Sequence, residues 1–173
     1  DHLLFVLALL LVVRGTGRLI ATITAFTAAH SLTLVAATLG WVNVPGPPVE
    51  AIIALSIVFV AAEVIAGLHN HEGLTARSPW VVAFSFGLLH GLGFAGALAE
   101  VGLPQVAMPV ALLMFNAGVE AGQLLFVAGI LLLRGAVTAA LPLNSRRVSA
   151  ATAYGIGGIA AFWTIERVVG FWA

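Results

Sequence analysis

The chain has no cysteine and no lysine, and both absences narrow what it can be. Without cysteine there is no disulfide, no thiolate metal site and no cysteine nucleophile. Seven arginines against seven acids leave neither a basic surface for nucleic acid nor a charged tail. Charge of either sign is scarce, 8% of residues against 61% hydrophobic, which lies outside the soluble range. There is no basic segment ahead of the first apolar run, so that run is not a signal peptide. Asp1-His2 leads directly into Leu3–Val13, which is too short to span a bilayer alone and reads as part of a longer first helix.

What is present is a succession of apolar stretches separated by short breakers. Beyond the partial first helix, the pattern predicts helices over about Leu19–Leu39, Val49–Leu68, Pro79–Leu98, Met108–Leu133 and Val148–Val169. The breakers are Arg14–Arg18, Asn43–Pro48, the polar loop from His69 to Pro79, Gly102–Pro104 and the segment with Pro142. The expected fold is an all-α, polytopic transmembrane helical bundle of about six crossings, one domain over residues 1–173. Arginines fall after the first, third and fifth helices, and none after the second and fourth. By the positive-inside rule the odd-numbered loops are cytoplasmic, with Arg167 the one charge against it.

Within these spans a few polar groups stand out, because each is costly in a membrane and needs a partner or a use. Asn116, Glu120 and Gln123 are spaced i, i+4, i+7 and share one helical face. Gly118 and Gly122 leave room nearby for another helix, and Gly87 with Gly91 form a second small-residue pair beside His90. Thr24, Thr27, Ser31 and Thr38 make a polar stripe next to His30; such hydroxyls usually bond back to their own helix. Ser56 and Glu63 share a face of the third helix, and Glu50 opens that helix as a favourable charge on its dipole. Glu166-Arg167 reads as an interfacial anchor, and His69-x-His71 as a solvated loop pair.

Imidazoles plus carboxylates on several helices suit borderline divalent ions. The candidate metal ligands are Asp1, His2, His30, His90 and Glu120; Glu63, Asn116 and Gln123 line a path or support the ligands. Ni²⁺ leads as the ion, with Co²⁺, Zn²⁺ and Cu²⁺ as the alternatives. An ion would enter at Asp1-His2, pass His30, His90 and Glu120, and leave near Glu63.

Five segments also carry a resemblance: Asp1–Phe5, Thr24–Leu34, Val49–Glu63, Phe86–Ala95 and Phe115–Leu124. In sequence and order they resemble the HupE/UreJ family, over nearly the whole chain. The resemblance implies a multi-pass bacterial inner-membrane protein with a nickel or cobalt permease-like role accessory to hydrogenase or urease. It also implies metallochaperones or metalloenzyme maturation proteins as partners. Asp1, His2 and His90 match the better-studied branch's motifs. His30, Glu63 and Glu120 match a divergent branch, and Gly87 and Gly93 stand where the former has further His and Glu.

Two other readings compete with transport. An intramembrane zinc hydrolase would use His2, His30 and His90 as ligands and Glu120 as general base, although no HExxH or GxSxG signature occurs. A membrane scaffold would use the polar groups only to hold helices together. Transport is preferred over enzyme chemistry, in contact with lipid and metal, and few crossings are compatible with a homo-oligomer.

Overall fold

The computed structural model describes residues 1–101, 108–140 and 144–172; the side chains of 95–101 and 140 lie outside that description. The breakers expected at Gly102–Pro104 and Pro142 fall outside it too. Among the described residues the chain is helical throughout: α1 His2–Val12, α2 Thr16–Thr38, α3 Gly46–Leu68, α4 Leu74–Arg77, α5 Pro79–Val101, α6 Met108–Ala140 and α7 Ser145–Val169. Helices α2, α3, α6 and α7 are long and apolar enough to cross a membrane; α1 and Pro79–Phe94 of α5 are shorter apolar helices. Together they supply the six apolar segments expected of a polytopic bundle.

Several boundaries differ from expectation for identifiable reasons. Helix α3 begins at Gly46 because Pro47 and Pro48 occupy its first turn, where the missing N–H is not needed. The prolines that read as a breaker are the helix start. Glu50 therefore sits beyond the first turn and does not serve the helix dipole there. Helix α7 starts at Ser145 because the Asn144 side chain accepts from the Arg146 and Arg147 amides. Helix α6 runs past Arg134 to Ala140. At about 1.5 Å per residue it is about 50 Å long, well beyond a hydrocarbon core of about 30 Å. The loop after α3 is not plain coil: it contains the single turn α4. Helix α2 ends as its sequence suggests, with Gly40 at positive φ. The amides of Gly40 and Trp41 are returned to the Ala37 and Ala36 carbonyls.

Helix α1 is the centre of the bundle. Phe5, Val6, Ala8 and Leu9 are fully or almost fully buried and pack on Ile23, Phe26, Ile57 and Val60. Around it α2 packs on α5 and α3 packs on α7, while α6 lies at the side against α1 and α2. The α2–α5 contact is close. A Cβ at Gly87 would collide with the Phe26 carbonyl, and one at Gly91 with the His30 carbonyl and the Thr33 hydroxyl. The Gly87/Gly91 pair thus brings His90 against α2. At one end Arg18 donates to the carbonyls of Ala76 and Arg77, and Arg146 to that of Leu68, which gathers the arginine-bearing loops. At the other end Arg167 meets Asp1 and Glu50.

Candidate metal site

His2, in the first turn of α1, packs between α2 and α5. His2 lies 5.2 Å from the His30 ring and 4.9 Å from the His90 ring, centroid to centroid, edge-on to both. His30 and His90 have no exposed surface. The histidines are therefore gathered in one cluster instead of strung along a path. Phenylalanines wall the cluster: Phe26 lies 5.1 Å from His90 and 5.6 Å from His2, and Phe5 is 5.3 Å from His90. Phe94 and Phe115 pack on each other at 4.6 Å and flank His30.

Hydrogen bonds assign the nitrogens of two rings. The Asn116 amide donates to the Leu112 carbonyl at 2.8 Å, which turns its oxygen toward His30. His30 Nδ1–H then donates to Asn116 Oδ1 at 3.2 Å, leaving Nε2 with a lone pair. The Ser56 hydroxyl gives its hydrogen to the Ile53 carbonyl at 2.6 Å, so toward His90 it accepts. His90 Nε2–H is the donor at 3.2 Å, and Nδ1 keeps its lone pair. His30 Nε2, His90 Nδ1 and His2 Nε2 are all buried and, among the described residues, have no hydrogen-bond partner. An orphaned buried polar atom is costly, and three in one cluster point to a ligand. Holding one imidazole nitrogen on an amide or hydroxyl oxygen while the other stays free is the arrangement that orients metal-binding histidines. Among the described residues no three His, Asp or Glu side chains already stand at the spacing of a closed metal cage. The donor set fits a divalent ion by its chemistry, and the rings must turn to converge on one.

The remaining candidates are placed apart from the three rings. Asp1 is held by Arg167, Oδ2 to NH2 at 2.9 Å. The same guanidinium reaches the Glu50 carbonyl at 3.0 Å and its carboxylate at 3.7 Å, and lies over Trp163 at 5.8 Å. Arg167 and Glu50 thus tie α7 and α3 to the start of α1, in place of the anchoring and dipole roles expected of them. Glu120 accepts from Thr24 at 2.6 Å on the outer side of the α2–α6 contact. Gln123 accepts from Thr27 at 3.2 Å, and its buried Nε2 is without a partner among the described residues. Asn116, Gln123 and Glu120 do share one face, as their spacing requires, and that face lies along α2 from His30 to Thr24. Glu63 accepts the amides of Leu74 at 2.7 Å and Thr75 at 2.5 Å, so its carboxylate caps α4. His69 donates from Nδ1 to the Ile65 carbonyl at 2.9 Å and finishes α3.

Ser56, the partner of His90, is not among the residues that the sequence singles out for the site. Its only signal there is the helical face it shares with Glu63. A cavity of ≈ 330 Å³ opens beside the cluster between α1, α5 and α6, lined by His2, Phe94, Phe115, Gly118, Gly122 and Gln123. It connects the surface of the bundle with His2.

Neither a curated protein nor a solved structure matches the chain. A family match covers residues 1–167, from the Asp1-His2 pair to the Arg167 that holds it, and by it the chain belongs to the HupE / UreJ protein family.

Proposed function

We propose that the protein is a membrane permease for a divalent transition-metal ion, Ni²⁺ first and Co²⁺ next. The observation that carries the reading is the set of three buried imidazole nitrogens on α1, α2 and α5 that find no partner among the described residues, two of them on rings preset by Asn116 and Ser56. His2, His30 and His90 would bind the ion as substrate. Beside them Thr27–Gln123 and Thr24–Glu120 continue a polar seam between α2 and α6, toward the arginine-rich end. A permease must bind weakly enough to release, and rings that have to turn to converge suit that better than a closed cage. Asp1 would add to the site only by leaving Arg167. A hydrolase using Glu120 as base is less well supported, since Glu120 is engaged by Thr24 and not by the imidazoles. The arginine-rich loops would face the cytoplasm of a bacterial inner membrane.

The test is elemental analysis of the purified protein after incubation with Ni²⁺, Co²⁺, Zn²⁺ or Cu²⁺, followed by flux into vesicles. About one ion per chain is expected, lost in His30→Ala and His90→Ala. Wild type that takes up no metal, while remaining folded, sinks the proposal. Metal that survives a chelator and shows no flux replaces it with a closed, hydrolase-like site.

A further inference from the structure

The end of the bundle far from Asp1 carries a concentration of charge that metal binding does not use. Arg14 from the α1–α2 turn, Arg134 from α6 and Arg146 from the first turn of α7 line one pocket of ≈ 550 Å³, with Ser145 and Ser149. Among the described residues no carboxylate lines that pocket, and the only ion pairs are those of Arg167. Arg146 spends one donor on the Leu68 carbonyl, which fixes its guanidinium at the rim. Much of the rest of the wall is leucine, including Leu10, Leu19 and Leu131.

Guanidinium groups that line one pocket with no acid in its wall repel one another unless an anion lies between them, although Arg14 also borders a neighbouring groove that holds Glu63 and Glu72. Phosphate is the natural anion, since guanidinium forks match its oxygens in pairs. The leucine wall decides its source. Inorganic phosphate gains nothing from apolar surface, whereas a lipid brings glycerol and acyl carbons to it. Basic pockets between membrane helices are also where acidic headgroups bind. We propose that Arg14, Arg134 and Arg146 bind the phosphate of an anionic phospholipid headgroup, which fastens the peripheral helix α6 to α1, α2 and α7.

The test uses the full chain reconstituted in phosphatidylcholine vesicles with or without an equal part of phosphatidylglycerol. The lipid that remains bound after extraction is then counted by native mass spectrometry. Retained phosphatidylglycerol is expected to exceed phosphatidylcholine, and to fall about fivefold in Arg14→Gln and in Arg134→Gln. Neither arginine makes a side-chain hydrogen bond among the described residues, so both variants should fold. Arg147→Gln removes the same charge next to the pocket without lining it, and should leave retention unchanged. A loss in Arg147→Gln equal to that in Arg134→Gln would mean diffuse surface charge and overturn the site. Equal retention of the two lipids, or displacement of phosphatidylglycerol by millimolar inorganic phosphate, would overturn the lipid assignment.

Discussion

Helices α5 and α6 both lay a face against α2, yet the two contacts are built from opposite materials. The α2–α5 contact is made by missing side chains: Gly87 and Gly91 admit the backbone of α2 at Phe26 and His30. The α2–α6 contact is made by polar side chains, His30–Asn116, Thr27–Gln123 and Thr24–Glu120. The glycines of α6 beside this seam, Gly118 and Gly122, have nothing among the described residues within 4 Å of a Cβ position. There is no hydrophobic drive between helices in lipid, so close van der Waals packing holds the first and hydrogen bonds hold the second. His90 accordingly sits on a fixed wall. Asn116, which sets the His30 nitrogen, sits on a wall with room to shift.

The largest effect expected from this difference is in Gly91→Val. The new side chain has to displace backbone at His30, and the overpacking should cost about 3 kcal/mol or more. Thermal unfolding and gel filtration in detergent would show loss of the folded bundle. An unchanged unfolding temperature would mean that α2 and α5 are not in backbone contact. Asn116→Ala should act on the other wall and on function. The chain stays folded, but His30 loses the acceptor that orients it, and metal affinity should fall about 10- to 100-fold by calorimetry. Unchanged affinity would detach α6 from the site.

Half of this contrast is legible in local periodicity alone. The i, i+4, i+7 spacing of Asn116, Glu120 and Gln123 places them on one face, and the Gly87/Gly91 pair marks a tight helix contact. What periodicity cannot reveal is the partner across the bundle. Glu63 resembles a path residue because it lies in an apolar helix; its partners are backbone amides 11 and 12 residues on, in a loop with no periodic signal. Arg167 resembles an anchor because Asp1 and Glu50 are 166 and 117 positions away. Gly118 and Gly122 resemble a packing face, but a glycine pair only permits a close approach and does not supply the neighbour. The histidine cluster itself is legible as residue types and approximate depth. Its compactness depends on how α1, α2 and α5 pack together, which no local pattern encodes.

Glu63→Ala separates a cap from a path residue, and should leave both walls of α2 untouched. Losing the cap should destabilise the α4 turn by about 1 kcal/mol. Amide exchange at Leu74 and Thr75 would report it, with metal binding unchanged. A drop in metal affinity without faster exchange would return Glu63 to the ion's route.

The smallest effect, and the sharpest test of the contrast, is Gly122→Ala. Its Cβ meets only open space among the described residues, and an alanine in a helix loses less backbone freedom on ordering than a glycine. The unfolding temperature should therefore stay the same or rise, by up to about 1 kcal/mol of added stability. The identical change at Gly91 should lower it, because there the methyl group has the His30 carbonyl to displace. Opposite signs for the same substitution on the two neighbours of α2 would establish one contact as close and the other as open. Equal losses at both positions would mean that α6 approaches a helix backbone at Gly122 as closely as α5 does at Gly91, and the His30–Asn116 wall would then be as fixed as the wall that carries His90.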